Sequence, residues 1–226
     1  MTARQTAPAA RSAQTAAALG LHGVTLTLPG RTLMHDLTLS VAAGEIVTLM
    51  GPSGVGKSSL LAWIGGFLAP PFTASGDVTI GAQSLSALKP HERAVGILFQ
   101  DDLLFPHLSV AGNLLFGLPA EVSGASHRRS EVESALADAG LAGYAERDPA
   151  TLSGGQRARV ALLRTLLARP RALLLDEPFS KLDDALREDF RDFVFTRARA
   201  LGLPTLLVTH DERDAHAAGG RVVELH

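Results

Sequence analysis

Cysteine is absent from this sequence, which excludes disulfide bridges and metal sites built on thiolates. No apolar run approaches the ~20 residues that a membrane-spanning helix needs. Strong charge of one sign is also missing, because the formal net charge is -2, so we expect no nucleic-acid partner. The 226 residues, of which 46% are hydrophobic, are enough to bury a substantial core in one or two lobes.

Acidic residues are missing from residues 1–19, a segment rich in Ala and Thr. This segment has no apolar core of the kind found in secretory signals. Its composition favours a disordered tail, with an organelle transit peptide as the alternative. We therefore predict a disordered tail over residues 1–19 and a folded domain over residues 20–226.

A glycine-rich stretch fits the pattern G-x-x-x-x-G-K-[ST] of a phosphate-binding loop. Apolar runs flank it, which predicts the strand, loop and helix that the motif requires. Its glycines let backbone N–H groups curl around an anion at a helix N-terminus. Lys57 adds a charge for the outer phosphates, and Ser58 adds a hydroxyl for Mg²⁺. The predicted nucleotide site comprises Gly51, Pro52, Ser53, Gly54, Val55, Gly56, Lys57, Ser58 and Ser59.

Two further segments bring the groups that nucleotide hydrolysis needs. Asp176 and Glu177 follow an apolar run typical of a buried parallel strand, so they are expected at the carboxyl edge of a sheet. We predict that Asp176 holds Mg²⁺ and that Glu177 accepts a proton from the attacking water, with a helix-capping pair as the alternative. His210 follows the next strand-like run and is predicted at the same edge, near the γ-phosphate and the water. The alternative for His210 is a structural role.

A second anion site is predicted at the start of a helix with an apolar face. Ser153 is a good N-cap, and the two glycines after it let the backbone approach a ligand closely. One chain has no obvious use for two such sites on one phosphate tail. Two copies of the chain would have a use for both sites, if the second site of each copy binds the nucleotide held by the other copy. The predicted residues are Ser153, Gly154, Gly155 and Gln156.

The strand and helix patterns outline an α/β fold. Alternation from residue 21 to residue 41, with a turn at Pro29 and Gly30, predicts antiparallel strands ahead of the phosphate loop. Residues 101–168 are mostly helical in pattern, including an amphipathic helix over 131–139. The predicted buried strands of a parallel sheet cover residues 46–50, 95–99, 172–176 and 205–208, and 221–225 is a predicted edge strand.

Taken in chain order, these motifs resemble the ATP-binding cassette (ABC) subunit of ABC transporters over about residues 21–226. The resemblance implies a P-loop NTPase (RecA-like) core with a parallel sheet, an N-terminal antiparallel β-subdomain and an α-helical insertion subdomain. Residues 20–100 and 169–226 would form the core with its β-subdomain, and residues 101–168 the helical subdomain. The matching motifs are Walker A at 51–59, the Q-loop at Gln100, the signature at 152–156, Walker B at 173–177, the D-loop at 180–183 and the switch histidine His210.

The resemblance also implies how the protein works. Two cassettes would form a head-to-tail homodimer that holds two ATP molecules between Walker A of one copy and the signature of the other. Gln100 would contact the metal or the water, as a metal ligand and a catalytic residue with Glu177 and His210, and would sense the membrane partner. Asp183 would couple the two sites. The implied cofactors are ATP and Mg²⁺, and the partners are transmembrane permease subunits and a solute-binding protein at the cytoplasmic face of the membrane.

Compact cassettes of this kind resemble those of bacterial solute importers for thiamine, iron or polyamines. We expect no appended regulatory domain, because the sequence ends soon after His210. Residues 103–107 are the expected contact with the permease, although ordinary packing explains their apolar character equally well. The alternative is a soluble ABC ATPase with a non-transport partner such as the ribosome or DNA. A binding module without activity, or a P-loop GTPase or kinase, fits the motifs less well.

One position departs from the family pattern. Members usually stack adenine on an aromatic side chain ahead of Walker A, and here that position corresponds to Leu28. Aliphatic contact in place of stacking forfeits ~1 kcal/mol of base contact. We therefore predict that Leu28 contacts the base and that the affinity or selectivity for adenine is weaker than usual.

Overall fold

The structure is a computed structural model that describes residues 17–225. Within that range the strands form two sheets, and the helices either flank the larger sheet or cluster beside it. The elements are β1 (Leu19–Leu28), β2 (Arg31–Val41), β3 (Ile46–Met50), α1 (Lys57–Gly65), β4 (Thr73–Ile80), β5 (Gln83–Ser84), β6 (Val95–Leu98), α2 (Val110–Gly117), α3 (Ala125–Asp138), α4 (Gly154–Leu167), β7 (Ala172–Asp176), α5 (Asp184–Ala200), β8 (Thr205–Val208), α6 (Glu212–Ala218) and β9 (Val222–Glu224).

The smaller sheet is antiparallel, with the order β2-β1-β4-β5. Strands β1 and β2 form a hairpin whose turn uses Gly30 in the left-handed region, as the Pro-Gly pair predicts. The predicted tail boundary at residue 19 is wrong by a short distance. Leu19 is fully buried, begins β1 and pairs with both Val41 and Ile80, because its apolar side chain completes the core between the sheets. The rest of the predicted tail, residues 1–16, lies outside the described residues.

The larger sheet is parallel, with the order β6-β7-β8-β3-β9. Its central strands β7 and β8 are almost entirely buried, because helices cover both faces, and this explains their uninterrupted runs of apolar residues. Strand β9 lies at one edge, as predicted. All five strands run in the same direction, so the segments that follow them emerge along one edge.

Helices α2, α3 and α4 share a separate apolar core. Its fully buried members include Val110, Leu114 and Val160. Helix α3 begins at Ala125, earlier than the predicted start at residue 131. Periodicity missed this first part because the side chains of residues 125–130 are polar or small and mostly exposed, so no apolar stripe marks them.

The mixed α/β fold class is confirmed, since one sheet is parallel, the other is antiparallel and a helical cluster lies between β6 and β7 in the chain. The subdomain boundaries stay a prediction. Over the range that the structure describes, no helix has the length and apolar character needed to cross a membrane.

Candidate nucleotide-binding site

The carboxyl edge of the parallel sheet gathers residues that are far apart in the sequence. The phosphate loop follows β3, Glu177 follows β7, and His210 comes shortly after β8. These three strands are neighbours, with Leu49 opposite Val208 and Val208 opposite Asp176. The predicted site residues therefore meet at one edge, where nucleotide sites of such sheets form.

Left-handed glycines shape the phosphate loop. Gly51, Gly54 and Gly56 have φ values of 148°, 82° and 98°. At Gly51 the close approach of the backbone matters as well, because an added Cβ would lie 2.5 Å from the carbonyl oxygen of Leu225. No residue other than glycine fits this position without displacing β9 from β3.

The first turn of α1 is open to an anion. Its N-cap is Gly56, which provides no capping side chain, and no acidic residue lies in the turn. The N–H groups and the positive end of the helix dipole are therefore left for a ligand. Lys57 is 7% exposed, and its Nζ donates to the carbonyl oxygens of Gly51 and Pro52, at 2.7 and 3.0 Å. The ammonium is thus held at the mouth of the loop.

Ser58 and Asp176, the two predicted oxygen ligands of a metal ion, form a hydrogen-bonded pair. The Ser58 hydroxyl donates to Oδ1 of Asp176 at 2.9 Å. Burial raises the pKa of Asp176, and the negative charge of Glu177 raises it further, while the bond from Ser58 and the charge of Lys57 lower it. A carboxylate that is costly to ionise in the free protein gains most from a nearby cation.

Glu177 and His210 form the second polar pair. Nδ1 of His210 lies 3.1 Å from Oε2 of Glu177. The backbone of Glu177 is left-handed, with φ 46°, and its N–H donates to the carbonyl oxygen of Val208 at 2.9 Å. Such a conformation is uncommon for a residue with a side chain and marks functional sites more often than ordinary turns. In this conformation the Glu177 carboxylate lies within hydrogen-bond distance of His210.

Gln100 lies at the same edge of the sheet, after the neighbouring strand β6. That strand pairs with β7, and the side chain of Gln100 is exposed. No hydrogen bond joins it to Ser58 or Asp176 in the described part of the chain. It lines a cavity of about 250 Å³, which also involves Asp102, Gly154 and Lys181.

The Ser-Gly-Gly segment caps α4 as the sequence predicts. The Ser153 hydroxyl oxygen accepts from the N–H of Gln156 at 3.3 Å, and Oε1 of Gln156 accepts from the N–H of Ser153 at 3.0 Å. The Ser153 O–H proton remains free to donate to an external anion. No hydrogen bond among residues 17–225 joins this segment to residues 51–59, so the two predicted anion sites are separate within one chain.

Leu28 lies at the end of β1, half-buried against the main core. Two residues earlier on the same strand, Leu26 would contact a Cβ added to Gly56, at 3.0 Å. Alternation along a strand places Leu28 on the side of β1 that carries Leu26, next to the phosphate loop. Its role in holding the base stays a prediction.

Sequence reasoning missed a buried ionic network behind His210. Asp214, which is 1% exposed, accepts from the guanidinium of Arg187 at 2.6 and 3.1 Å and from the Thr209 hydroxyl at 3.2 Å. Arg191 lies 3.5 Å from the same carboxylate. The partners come from different helices, and nothing in their spacing along the chain marks the pairing.

The segment after Gln100 has ionic contacts that the sequence did not indicate either. Asp102 accepts from Nε of Arg157 at 2.8 Å, and Asp101 forms an ion pair with Lys181. The two adjacent acids are visible in the sequence. Which acid meets which base depends on the packing of α4 and of the loop after β7.

Comparison with known proteins gives a consistent result. The family model described as ABC transporter matches residues 34–180. An uncharacterized ABC transporter ATP-binding protein, YnjD from Escherichia coli (strain K12), is 53% identical over 88% of this chain and 91% of its own length. The thiamine import ATP-binding protein ThiQ from a Chelativorans species is 42% identical over 93% and 84%.

A further relative is the Fe(3+) ions import ATP-binding protein FbpC of Streptomyces coelicolor, 42% identical over 91% of this chain. The chain spans only 58% of that protein's length. The family match nevertheless covers more than half of this chain, and the relatives align with nearly all of its folded part. The chain therefore belongs to the ABC transporter family, among its ATP-binding proteins.

Proposed function

We propose that this protein is the ATP-hydrolysing subunit of a bacterial ABC importer. The observation that carries the proposal is the meeting of Lys57, Ser58, Asp176, Glu177 and His210 at one sheet edge, from three separate segments of the chain. Relatives named as iron, polyamine and thiamine import proteins support the importer assignment.

Each group has a role that its geometry supports. The loop N–H groups and Lys57 hold the phosphates of ATP. Glu177 accepts the proton of the water that attacks the γ-phosphorus, and His210 orients the Glu177 carboxylate through its 3.1 Å contact. Gln100, at the end of the neighbouring strand β6, is the residue that we propose contacts the metal or the attacking water.

The residues fit a magnesium ion. Mg²⁺ is commonly held by one or two carboxylates together with substrate phosphates and water, and Ser58 with Asp176 supplies a matching set of hard oxygen ligands. No cluster of three or more acidic, His or Cys side chains competes as a metal site across residues 17–225. When bound, Mg²⁺ neutralises charge on the β- and γ-phosphate oxygens.

The second anion site requires a second copy of the chain. The free hydroxyl proton of Ser153 and the backbone of Gly154 and Gly155 would face the γ-phosphate held by the other copy. Two head-to-tail copies then bind two ATP molecules, and Asp183, the N-cap of α5 beside the signature helix, lies where contacts between the copies are expected.

An exposed apolar patch suits the permease. Phe116 is 69% exposed and Leu103 55% exposed, and the ring of Phe116 packs edge-on against Phe105 at 4.7 Å. We call these three residues the Phe116 patch. We propose that an apolar face of a helix in the membrane subunit buries this patch. Permease subunits and a solute-binding protein are the proposed partners, and the cytoplasmic face of the membrane is the proposed location.

The variant Glu177→Gln tests the proposal. It keeps the shape of the site and the ability to bind ATP, but it removes the base, so ATP hydrolysis falls by about a hundredfold or more. ATP with Mg²⁺ should then hold the protein as a dimer in size-exclusion chromatography. Lys57→Ala is the contrasting variant, because it should lose ATP binding as well. Hydrolysis by Glu177→Gln at the wild-type rate would contradict the proposed base.

A further inference from the structure

The segment directly after Gln100 is held on both sides by charged side chains. Two adjacent carboxylates in this segment pair with cations on different elements. Asp101 pairs with Lys181, in the loop after β7, and Asp102 pairs with Arg157, in the first turn of α4. The segment thus connects the carboxyl edge of the parallel sheet with α4, the helix whose N-cap is Ser153.

The guanidinium of Arg157 makes two directional bonds. Its Nε donates to Oδ2 of Asp102 at 2.8 Å, and its Nη1 donates to the carbonyl oxygen of Leu152 at 2.8 Å. Leu152 is the residue directly before the N-cap Ser153. One planar cation therefore fixes the position of the signature turn relative to Asp102.

A second arginine on α4 extends the contact. Arg164 donates through Nη1 to the carbonyl oxygen of Leu103 at 2.8 Å and through Nη2 to that of Asp102 at 3.2 Å. Leu103 has a left-handed backbone, with φ 45°, which an ordinary side chain adopts only where its surroundings impose it. Hydrogen bonds from Arg164 therefore hold the backbone of residues 102–103 against α4.

The ion pairs of this segment lie beside a cavity and not within a close-packed core. The cavity of about 250 Å³ lies among Gln100, Asp102, Gly154, Arg157 and Lys181. The side chains of Arg157 and Asp102 are 37% and 32% exposed, so water reaches the pair. A half-exposed ion pair beside a cavity is easier to rearrange than a filled apolar contact, because no close-packed atoms have to be displaced.

We infer that the Asp102–Arg157 pair is a positioning contact through which the Gln100 segment sets the orientation of the Ser153 turn. Movement of Gln100 toward bound nucleotide carries Asp102 with it, and Arg157 passes that movement to Leu152 and Ser153. The inference rests on the proposed function, since the Ser153 turn acts on the nucleotide of a second copy. Among residues 17–225, no hydrogen bond joins Asp102 or Arg157 to the phosphate loop.

The test uses Asp102→Asn, with Asp101→Asn as a matched control in the same segment and Asp102→Glu as the conservative variant. ATP-driven dimerisation is measured by sedimentation in the Glu177→Gln background, and binding by single chains is measured with a fluorescent ATP analogue. We expect Asp102→Asn to weaken dimerisation by about fivefold to tenfold, as expected for one half-exposed charge-assisted bond. Its nucleotide affinity should stay within about twofold of the parent.

Asp101→Asn should dimerise like its parent, and Asp102→Glu should recover most of the loss. Equal dimerisation by Asp102→Asn and its parent would overturn the inference. So would an equal loss in single-chain nucleotide affinity, because that result indicates general damage to the site.

Amide hydrogen exchange in single chains separates this inference from the proposed function. ATP with Mg²⁺ should change the protection of residues 152–157 in the otherwise wild-type chain and leave it unchanged in Asp102→Asn. The same response in both chains would overturn the positioning role. Absence of an ATP-held dimer in Glu177→Gln itself would count against the proposed function, while the exchange comparison would still decide the role of Asp102.

Discussion

At the scale of single residues, the site is built from groups whose placement costs stability. Asp176 is partly buried and its pKa is raised, chiefly by loss of water. An acid whose pKa is higher in the folded protein favours the fold when it is protonated. Its contribution to stability is therefore present at low pH and is lost as the pH rises through the raised pKa. At neutral pH the ionised carboxylate opposes folding until a cation binds.

Asp176→Asn should accordingly stabilise the protein without ligand. The amide imitates the protonated acid and can still accept from Ser58, so we expect a gain of about 1 kcal/mol, or about 2–4 °C in Tm at neutral pH. Calorimetry across pH 4 to 8 checks this, with the difference from wild type growing as the pH rises. ATP with Mg²⁺ should raise the Tm of wild type and have much less effect on the variant. A lower Tm for Asp176→Asn without ligand would contradict the argument.

Leu28 is the residue that we predict to contact the base of the nucleotide. It is half-buried near the phosphate loop, and it offers an adenine ring an aliphatic contact in place of an aromatic face. Leu28→Tyr should tighten ATP binding by about 1 kcal/mol, close to fivefold. Tripolyphosphate, which has no base, should bind both proteins equally. Unchanged affinity for ATP would place the base elsewhere.

At the scale of elements, charged side chains couple the helices around the sheet edge. Helix α6 starts directly after His210, and Asp214 within it is buried against Arg187 and Arg191 of α5. The N-cap residue of α6, Asp211, is also charged. Its pKa is lowered to about 2, chiefly by the hydrogen bond from Arg213. These contacts fix the start of α6 and with it the position of His210.

Asp214→Ala should destabilise the protein by about 3 kcal/mol, because Arg191 loses its carboxylate partner and Arg187 keeps only Asp211, at 2.8 Å. Urea unfolding followed by circular dichroism measures the change. Arg213→Ala is the matched control, since the Arg213 side chain is 64% exposed and exposed ion pairs contribute little to stability. Equal losses in the two variants would show that burial does not decide the strength of this network.

At the scale of the whole molecule, the protein presents surfaces that a single chain leaves uncovered. The Ser153 turn keeps a free donor away from its own phosphate loop, and the Phe116 patch leaves large apolar side chains exposed. Both fit the proposed function, in which the sheet edge holds the nucleotide and the helical cluster faces the partners.

Phe116→Ser should weaken the association with the permease. Burial of a phenylalanine contributes about 1.5–3 kcal/mol, so recovery with coexpressed permease in the membrane fraction should fall by about tenfold or more. ATP binding should not change, because Phe116 is remote from the phosphate loop in the chain and shares no hydrogen bond with it. Leu201→Ser is a control on another helix, with Leu201 54% exposed. Similar losses for both variants would argue against a specific permease contact.

The sequence by itself determined the nucleotide chemistry and the fold class. The spacing of the glycines, Lys57 and Ser58 indicates a phosphate loop, because an apolar strand precedes the motif and a helix follows it. The apolar runs of β7 and β8 specify buried parallel strands for the same local reason.

Only the tertiary structure decided which side chains meet. Sequence periodicity reports which face of an element is apolar, but ionic partners depend on how separate elements pack. The Ser58–Asp176 pair required the order of β3, β8 and β7 in the sheet, and the Asp102–Arg157 pair required α4 to lie along the segment after β6. Leu19, assigned to a tail by its composition, joined the fold because β2 and β4 both pair with its strand.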